Sequence, residues 1–423
     1  MQTLNKTLRS KLESTIKEAR DLSEEAAKAV LRQLGVDKPE APAYLDSQDL
    51  EKRSRLREHA IQIGDNLDDA SEKNGRMDRL VEETAYEHWH SMLFAKFLEQ
   101  NDLLMFPDPT NPVPISLAEC EELAPEKGAS NGWELASKYA AEMLPQIFRI
   151  DSPVFSVKFS AEFQNKLEKL IEDLPDEIYS ATDSLGWVYQ FWQGKRKKDV
   201  LASEVKIGER ELPAVTQLFT EQYMVQFLLC NSLGAWWAGK KLSETDFKSA
   251  ATEEELRNKL SLQGQTFDYL RFVRDDGGTW GPAAGTFDLW PDDFKNLKIL
   301  DPCCGSGHFL VAAFLMLVPM RMDADTLTVN ESVNAVISEN LYGLEIDKRC
   351  VEIAVFALAM AAWKYPGAGG YRILPEMNIA CSGLSIGVPY DDWISLAGRN
   401  QKQSFILEVL YNIFKDSPLL GSL

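Results

Sequence analysis

The chain is short of histidine, cysteine and basic charge, and each shortage narrows what it can be. Only 4 histidines and 6 cysteines occur in 423 residues. The cysteines (Cys120, Cys230, Cys303, Cys304, Cys350 and Cys381) show no Cys-x-x-Cys spacing, so neither a zinc site nor a disulfide framework is expected. A reduced, cytoplasmic protein fits best. His88 and His90 flank Trp89 in a helical stretch, where two-residue spacing sends them to different faces and argues against a shared metal. The N-terminus, MQTLNKTLRSKLESTIKEAR, is charged throughout and lacks the apolar core of a signal peptide. Nor is any run long and apolar enough to span a bilayer: Phe309–Met320 is ended too soon by Arg321 and Asp323. A Gly-Lys-Ser/Thr phosphate loop is missing, which argues against an ATPase. The net charge of −20 opposes nonspecific binding to phosphates. Contact with nucleic acid would need a local basic patch or a surface that this chain does not carry.

What is present divides the chain in two. Its length suggests two or three domains. Residues 1–205 read as an α-helical N-terminal region. Leu4, Leu8 and Leu12 recur at helical spacing, a break falls around Pro39–Pro42, and Met77–Leu98 is a long helix free of glycine and proline. Phe106–Pro114 carries four prolines and reads as a loop. Helix resumes from about 130 to 205, with a break near Asp151–Pro153. The dense cationic run Lys195, Arg196, Lys197 and Lys198 follows Trp187, Tyr189, Phe191 and Trp192. Aromatics beside basic groups can grip nucleic acid, although a core helix ending in a solvated charged turn explains the same residues more simply.

Residues 206–423 change character. Val215–Cys230 reads as a turn and an apolar helix, Trp236 and Trp237 lie just beyond it, and Asp275–Gly285 is a glycine-rich loop. Then comes ILDPCCGSGHFL, Ile299–Leu310. Lys298–Leu300 is an apolar strand stopped at Asp301-Pro302. Gly305 and Gly307 permit a tight turn with close backbone approach to a ligand, and Phe309–Leu317 continues as a helix. Strand, glycine turn and helix together form a nucleotide or nucleoside pocket at the carboxyl end of a parallel sheet. Asn340–Glu345 is a second short strand, and in the string LYGLEID, Leu341–Asp347, Glu345 falls at its carboxyl end, where an acid can accept from both hydroxyls of a ribose. Ile346, the next residue, is placed to lie against a base. Lys348–Tyr365 reads as a long apolar helix and Met377–Ala380 as a third strand, an alternation that indicates a parallel sheet with helical crossovers.

These strings carry a resemblance. Asp301-Pro302-x-x-Gly305-x-Gly307-x-Phe309 resembles motif I of DNA adenine amino-methyltransferases, and the Gly-x-Glu-Ile-Asp of Gly343–Asp347 resembles their motif II. Thr216–Tyr223, TQLFTEQY, is similar to motif X, with Gln217, Phe219 and Thr220 in the matching places and Glu221 where proline is usual. Read alone, that segment is a helix N-cap with Thr220 capping and Tyr223 packed inward. Met377–Leu384, MNIACSGL, resembles motif III with Cys381 and Ser382 in place of the usual aspartate, leaving Asn378 or Ser382 as weaker donors or acceptors. The chain thus resembles the N6-adenine DNA methyltransferases of the type IIG and BREX phage-defence group, over Thr216–Leu384.

The resemblance implies a partial Rossmann-like class I methyltransferase sheet, an α/β domain following the helical region. It implies S-adenosylmethionine as cofactor and double-stranded DNA as partner. It also implies cofactor-binding roles for Gln217, Phe219, Thr220, Asp301, Pro302, Gly305, Gly307, Phe309, Glu345 and Ile346. The Asn/Asp-Pro-Pro-Tyr/Phe tetrapeptide that orients the adenine amine in this family does not occur after Ala380. Asn111-Pro112-Val113-Pro114 lies far upstream and lacks the aromatic residue. The expectation is therefore a cofactor-binding part, a fragment or split subunit ending before the catalytic motif, that needs a complementing half. A noncatalytic defence or regulatory protein on the same fold is the alternative, and a small-molecule methyltransferase is the least favoured reading.

Overall fold

The computed structural model describes residues 3–67, 77–108, 111–145, 147–148, 152–204, 206–208, 211–216, 219–383, 386, 388–398 and 400–417. They form two compact units, Met1–Val215 with Leu384–Leu420, and Thr216–Gly383.

The first unit is mostly helical. Asn5 starts the helix Lys6–Gln33 by accepting the Leu8 amide, and Leu12, Ile16, Ala19, Ala26, Ala27 and Leu31 form its buried stripe. The small residues on that stripe let Asp78–Gln100 pack closely against it. Asp78–Gln100 is buried on most sides through Leu80, Trp89, Leu93, Phe94 and Phe97, as a central helix must be. Ser184–Ser203 adds Trp187, Tyr189, Phe191 and Trp192 to the same core. Arg20 is buried with its guanidinium on the Trp192 carbonyl and on Glu24.

These observations refine the sequence reading in two places. The proline-rich stretch after Leu104 is not all loop: Met105–Phe106 pairs antiparallel with Val113–Pro114, since proline is tolerated in a short edge strand. The four aromatics before the basic run are core, so none is presented for stacking on a nucleic acid.

The second unit holds a three-stranded parallel sheet. Ile299–Asp301 pairs with Leu341–Glu345, which is central and pairs in turn with Asn378–Cys381. The helix His308–Asp325 joins the first strand towards the second, and Lys348–Trp363 joins the second towards the third. Both helices pack on one face of the sheet. Leu341, Gly343 and Glu345 point to that face and are buried. Among the described residues, the opposite face is less covered: Leu300 is 56% exposed, Ala380 is exposed, and Tyr342 and Leu344 are half-buried. The glycine-rich segment after Asp275 turns a hairpin between Phe272–Arg274 and Trp280–Pro282.

Gly343 is closely packed on the covered face. A Cβ there would lie 2.9 Å from Leu310 Cδ1, 3.2 Å from Cys304 Sγ and 3.3 Å from Ile379 Cγ2. Gly343→Ala is expected to cost roughly 1–3 kcal/mol of stability by overpacking, read from the denaturant midpoint. An unchanged midpoint would show that the strand–helix contact yields freely.

Candidate functional site

The first strand ends at Asp301, whose Oδ1 accepts the Cys303 amide at 3.2 Å and starts the turn. Gly305 (φ +52°) and Gly307 (φ +79°) take the left-handed conformation that favours glycine. Gly307 is also fixed by packing, because a Cβ there would lie 2.9 Å from Ala354 Cα on the helix Lys348–Trp363. The turn is tied to the central strand by the Cys304 amide, which donates to the Leu344 carbonyl at 2.9 Å. The next helix begins at His308.

Glu345 closes the arrangement. It is buried at the end of the central strand. Its Oε2 accepts the Gly305 amide at 2.8 Å, while Oε1 accepts the Ile346 and Asp347 amides at 2.8 and 3.1 Å. The Glu345 carbonyl accepts the Ser382 amide at 2.8 Å, so the third strand is drawn to the same point. A carboxylate has about four lone-pair sites, and three are taken here; the one that remains is on Oε2. Burial lifts the Glu345 carboxyl above its ordinary range, with a push from Asp347 and against the pull of its three amides. Asp301 is raised by burial too, against the Cys303 amide.

Asp347 caps the helix Lys348–Trp363, accepting from the Arg349 amide at 3.0 Å and pairing with its guanidinium at 3.1 Å. On the motif X side, the Phe219 ring lies 4.5 Å from the His308 ring, which brings that segment to the start of the glycine-turn helix. Thr220 lies half-buried beside it. Gln217 lies outside the described residues. The plain N-cap reading of this segment does not hold: the capping position is Glu221, without a side-chain cap bond, and Tyr223 is exposed. Phe309 is half-buried, Pro302 exposed and Ile346 half-buried.

The structure also removes one option and adds two residues. Asn378 stands at the amino end of its strand and donates to the Ser338 carbonyl at 3.1 Å, so it is not at the carboxyl end where a ligand would sit. Gly383 lies so close to Ile346 that any Cβ would strike the Ile346 carbonyl. A lone glycine after a strand gives no such signal in sequence. His308, an unspecified position of the motif I string, is the residue against which Phe219 rests. Of the basic run, Lys195 pairs with Asp21 and Arg196 with Glu82, both at 2.6 Å.

A glycine turn at the end of one parallel strand, bonded to an acid at the end of the next, defines the nucleotide-binding class of α/β fold. Comparison with known proteins narrows this. Residues 288–368 match the family model "MmeI, DNA-methyltransferase domain". The chain is 29% identical over 196 residues to the adenine-specific methyltransferase BrxX of Escherichia coli O9:H4 (strain HS), a match covering 46% of this chain and 15% of that protein. It is 24% identical over 319 residues to the adenine-specific methyltransferase PglX of Lacticaseibacillus casei (strain Zhang), covering 66% of this chain and 25% of that protein. A cryo-EM structure of a DrdV–DNA complex aligns with 97% of this chain and 29% of that chain, at 11% identity and a TM-score of 0.34. The chain is related to the adenine-specific DNA methyltransferases of the BrxX and PglX group and to the MmeI methyltransferase domain. It spans a quarter or less of the length of these two curated relatives.

A raised carboxyl pKa in the folded state means that the fold retains the Glu345 proton to higher pH than the unfolded chain does. The stability this confers is present below the ordinary carboxylate range and is lost as pH rises through that range towards the raised value. As pH rises through and beyond the ordinary carboxylate range, about 4, the thermal midpoint of the ligand-free wild type should fall relative to that of Glu345→Gln. Parallel profiles would show that burial does not govern this carboxyl.

Proposed function

We propose that this chain supplies the cofactor-binding part of an S-adenosylmethionine-dependent, N6-adenine-specific DNA methyltransferase of a restriction-modification or BREX phage-defence system. The observation that carries this reading is the bond from the Gly305 amide to Glu345 Oε2. It joins the glycine turn to the acid at the point where a nucleoside would have to sit.

The residues present fit the cofactor. Glu345 keeps one acceptor site on Oε2 for a ribose hydroxyl, and a second becomes available only if the Gly305 amide releases that oxygen. Asp301, Pro302, Gly305, Gly307 and Phe309 would form the wall around the amino acid and ribose, and Ile346 would lie against the adenine. Gln217, Phe219 and Thr220 would cover the methionine end. The cofactor supplies an electrophilic methyl group on a sulfonium. The chain's own contribution is to bind it, orient it and keep it among buried groups.

Methyl transfer also needs acceptors that hold the adenine amine in line, and the Asn/Asp-Pro-Pro-Tyr/Phe string is absent from residues 1–423. The less covered sheet face at Leu300, Tyr342, Leu344 and Ala380 supports a complementing half, because parallel sheets are covered on both faces. Within the proposed methyltransferase domain, 206–423, that half would complete the sheet in the cytoplasm. Double-stranded DNA is the proposed substrate. Lys195, Arg196, Lys197 and Lys198 are its proposed contact in this chain, with Lys195 and Arg196 already paired to Asp21 and Glu82.

Calorimetry should show S-adenosylmethionine or its demethylated product binding to the 423-residue chain. Glu345→Ala should weaken that binding by roughly 1.5–3 kcal/mol, the worth of a hydrogen bond to a charged group. Equal affinities would remove Glu345 from the site, and no binding at all would favour the noncatalytic alternative. Labelled methyl transfer to unmethylated genomic DNA by the chain alone should stay at background. Robust incorporation into adenine would mean that other residues orient the amine.

A further inference from the structure

The helix Gln401–Phe414 carries apolar side chains on two opposite faces. Asn400 caps it, accepting the Lys402 and Gln403 amides at 3.1 and 3.3 Å. One face is docked. Leu407, Leu410 and Tyr411 are half-buried, the Tyr411 ring lies 5.1 Å from that of Tyr390, and Trp393 Nε1 donates to the Leu407 carbonyl at 2.8 Å. The other face is open. Phe405, Ile406, Val409 and Ile413 are exposed, Ile406 by 56% and Ile413 by 60%, and no residue of the helix is buried. A surface helix ordinarily has one apolar stripe and covers it by docking once. A second stripe of this size marks a contact surface.

The open stripe has the spacing of a coiled-coil seam. Lys402, Ile406, Val409, Ile413 and Asp416 follow at intervals of four, three, four and three residues, the repeat that keeps side chains facing one partner helix. Lys415 retains helical backbone angles (φ −58°, ψ −32°), so Asp416 stands near the line of the stripe, beyond its last apolar member. Lys402 and Asp416 each lie seven residues from Val409, about 10 Å along the axis. Opposite charges at equal distances from the centre make the stripe complementary to itself. In an antiparallel pair with its two-fold axis at Val409, Phe405 of one copy comes beside Ile413 of the other. Lys402 comes beside Asp416 at both ends. A parallel pair would set lysine on lysine and aspartate on aspartate.

We propose that this face binds a second copy of the chain, the two Gln401–Phe414 helices packing antiparallel about Val409. The inference does not depend on the cofactor site. The helix has 14 residues and is about 21 Å long, so the contact is smaller than a stable interface requires. The dimer is therefore weak and reversible.

Sedimentation of the 423-residue chain over a range of concentrations tests this. A monomer–dimer equilibrium is expected, with a dissociation constant on the order of 1–100 μM. Val409→Glu, checked by circular dichroism, should leave only monomer, because it sets two carboxylates together at the axis. Lys402→Asp should weaken the dimer by roughly tenfold, since it turns two ion pairs into two repulsions. Adding Asp416→Lys to Lys402→Asp should restore it. Both charge changes suit the helix ends at which they fall, so a weakened dimer would not reflect a weakened helix. A chain that stays monomeric throughout that range would overturn the proposal. So would a dimer unchanged by Val409→Glu or by Lys402→Asp, or a Lys402→Asp defect that the double exchange does not repair.

Discussion

The Glu345 carboxylate gathers amides from two directions, Gly305 from the turn after the first strand and Ile346 and Asp347 from its own chain. Its backbone carbonyl holds the segment after the third strand through Ser382. The carboxyl ends of three parallel strands therefore meet at one buried acid. Burying a carboxylate is costly unless its lone pairs are filled, and backbone amides are the donors nearest to hand. Without an acid at this position, the turn would lose its bond to the central strand and keep only the Cys304–Leu344 link.

The same acid shapes what the site can do. Three of its acceptor positions are occupied by the protein itself, so under the proposed function a nucleoside diol would compete with the Gly305 amide for Oε2 and couple binding to loop geometry. On the other side of the sheet, Leu300 and Ala380 lie open to solvent, an arrangement that a parallel sheet in isolation does not favour. The net charge of −20 opposes nonspecific contact with phosphates.

Much of this was legible in sequence because it rests on short-range rules. The strand, glycine turn and helix of Ile299–Asp325 follow from an apolar run, Asp301-Pro302, two glycines and a second apolar run. The parallel neighbours Leu341–Glu345 and Asn378–Cys381 follow from strand and helix alternation. Features set by tertiary contact were not legible. Asn378 looks like a ligand contact in a motif string, yet the strand register places it at the wrong end of the sheet. The aromatics Trp187, Tyr189, Phe191 and Trp192 look like a stacking platform beside basic residues, yet helix packing buries them. Gly383 packs on Ile346 and His308 on Phe219, partners remote in sequence.

The central claim is that Asp301–Phe309 and Leu341–Asp347 form one cofactor pocket joined through Glu345. Hydrogen–deuterium exchange of the 423-residue chain, with and without saturating S-adenosylmethionine, tests it most directly. The account predicts slower exchange in the peptides covering both segments, with the change abolished in Glu345→Ala. Cofactor binding that leaves both segments unchanged, or that protects only residues of the helical unit, would contradict it.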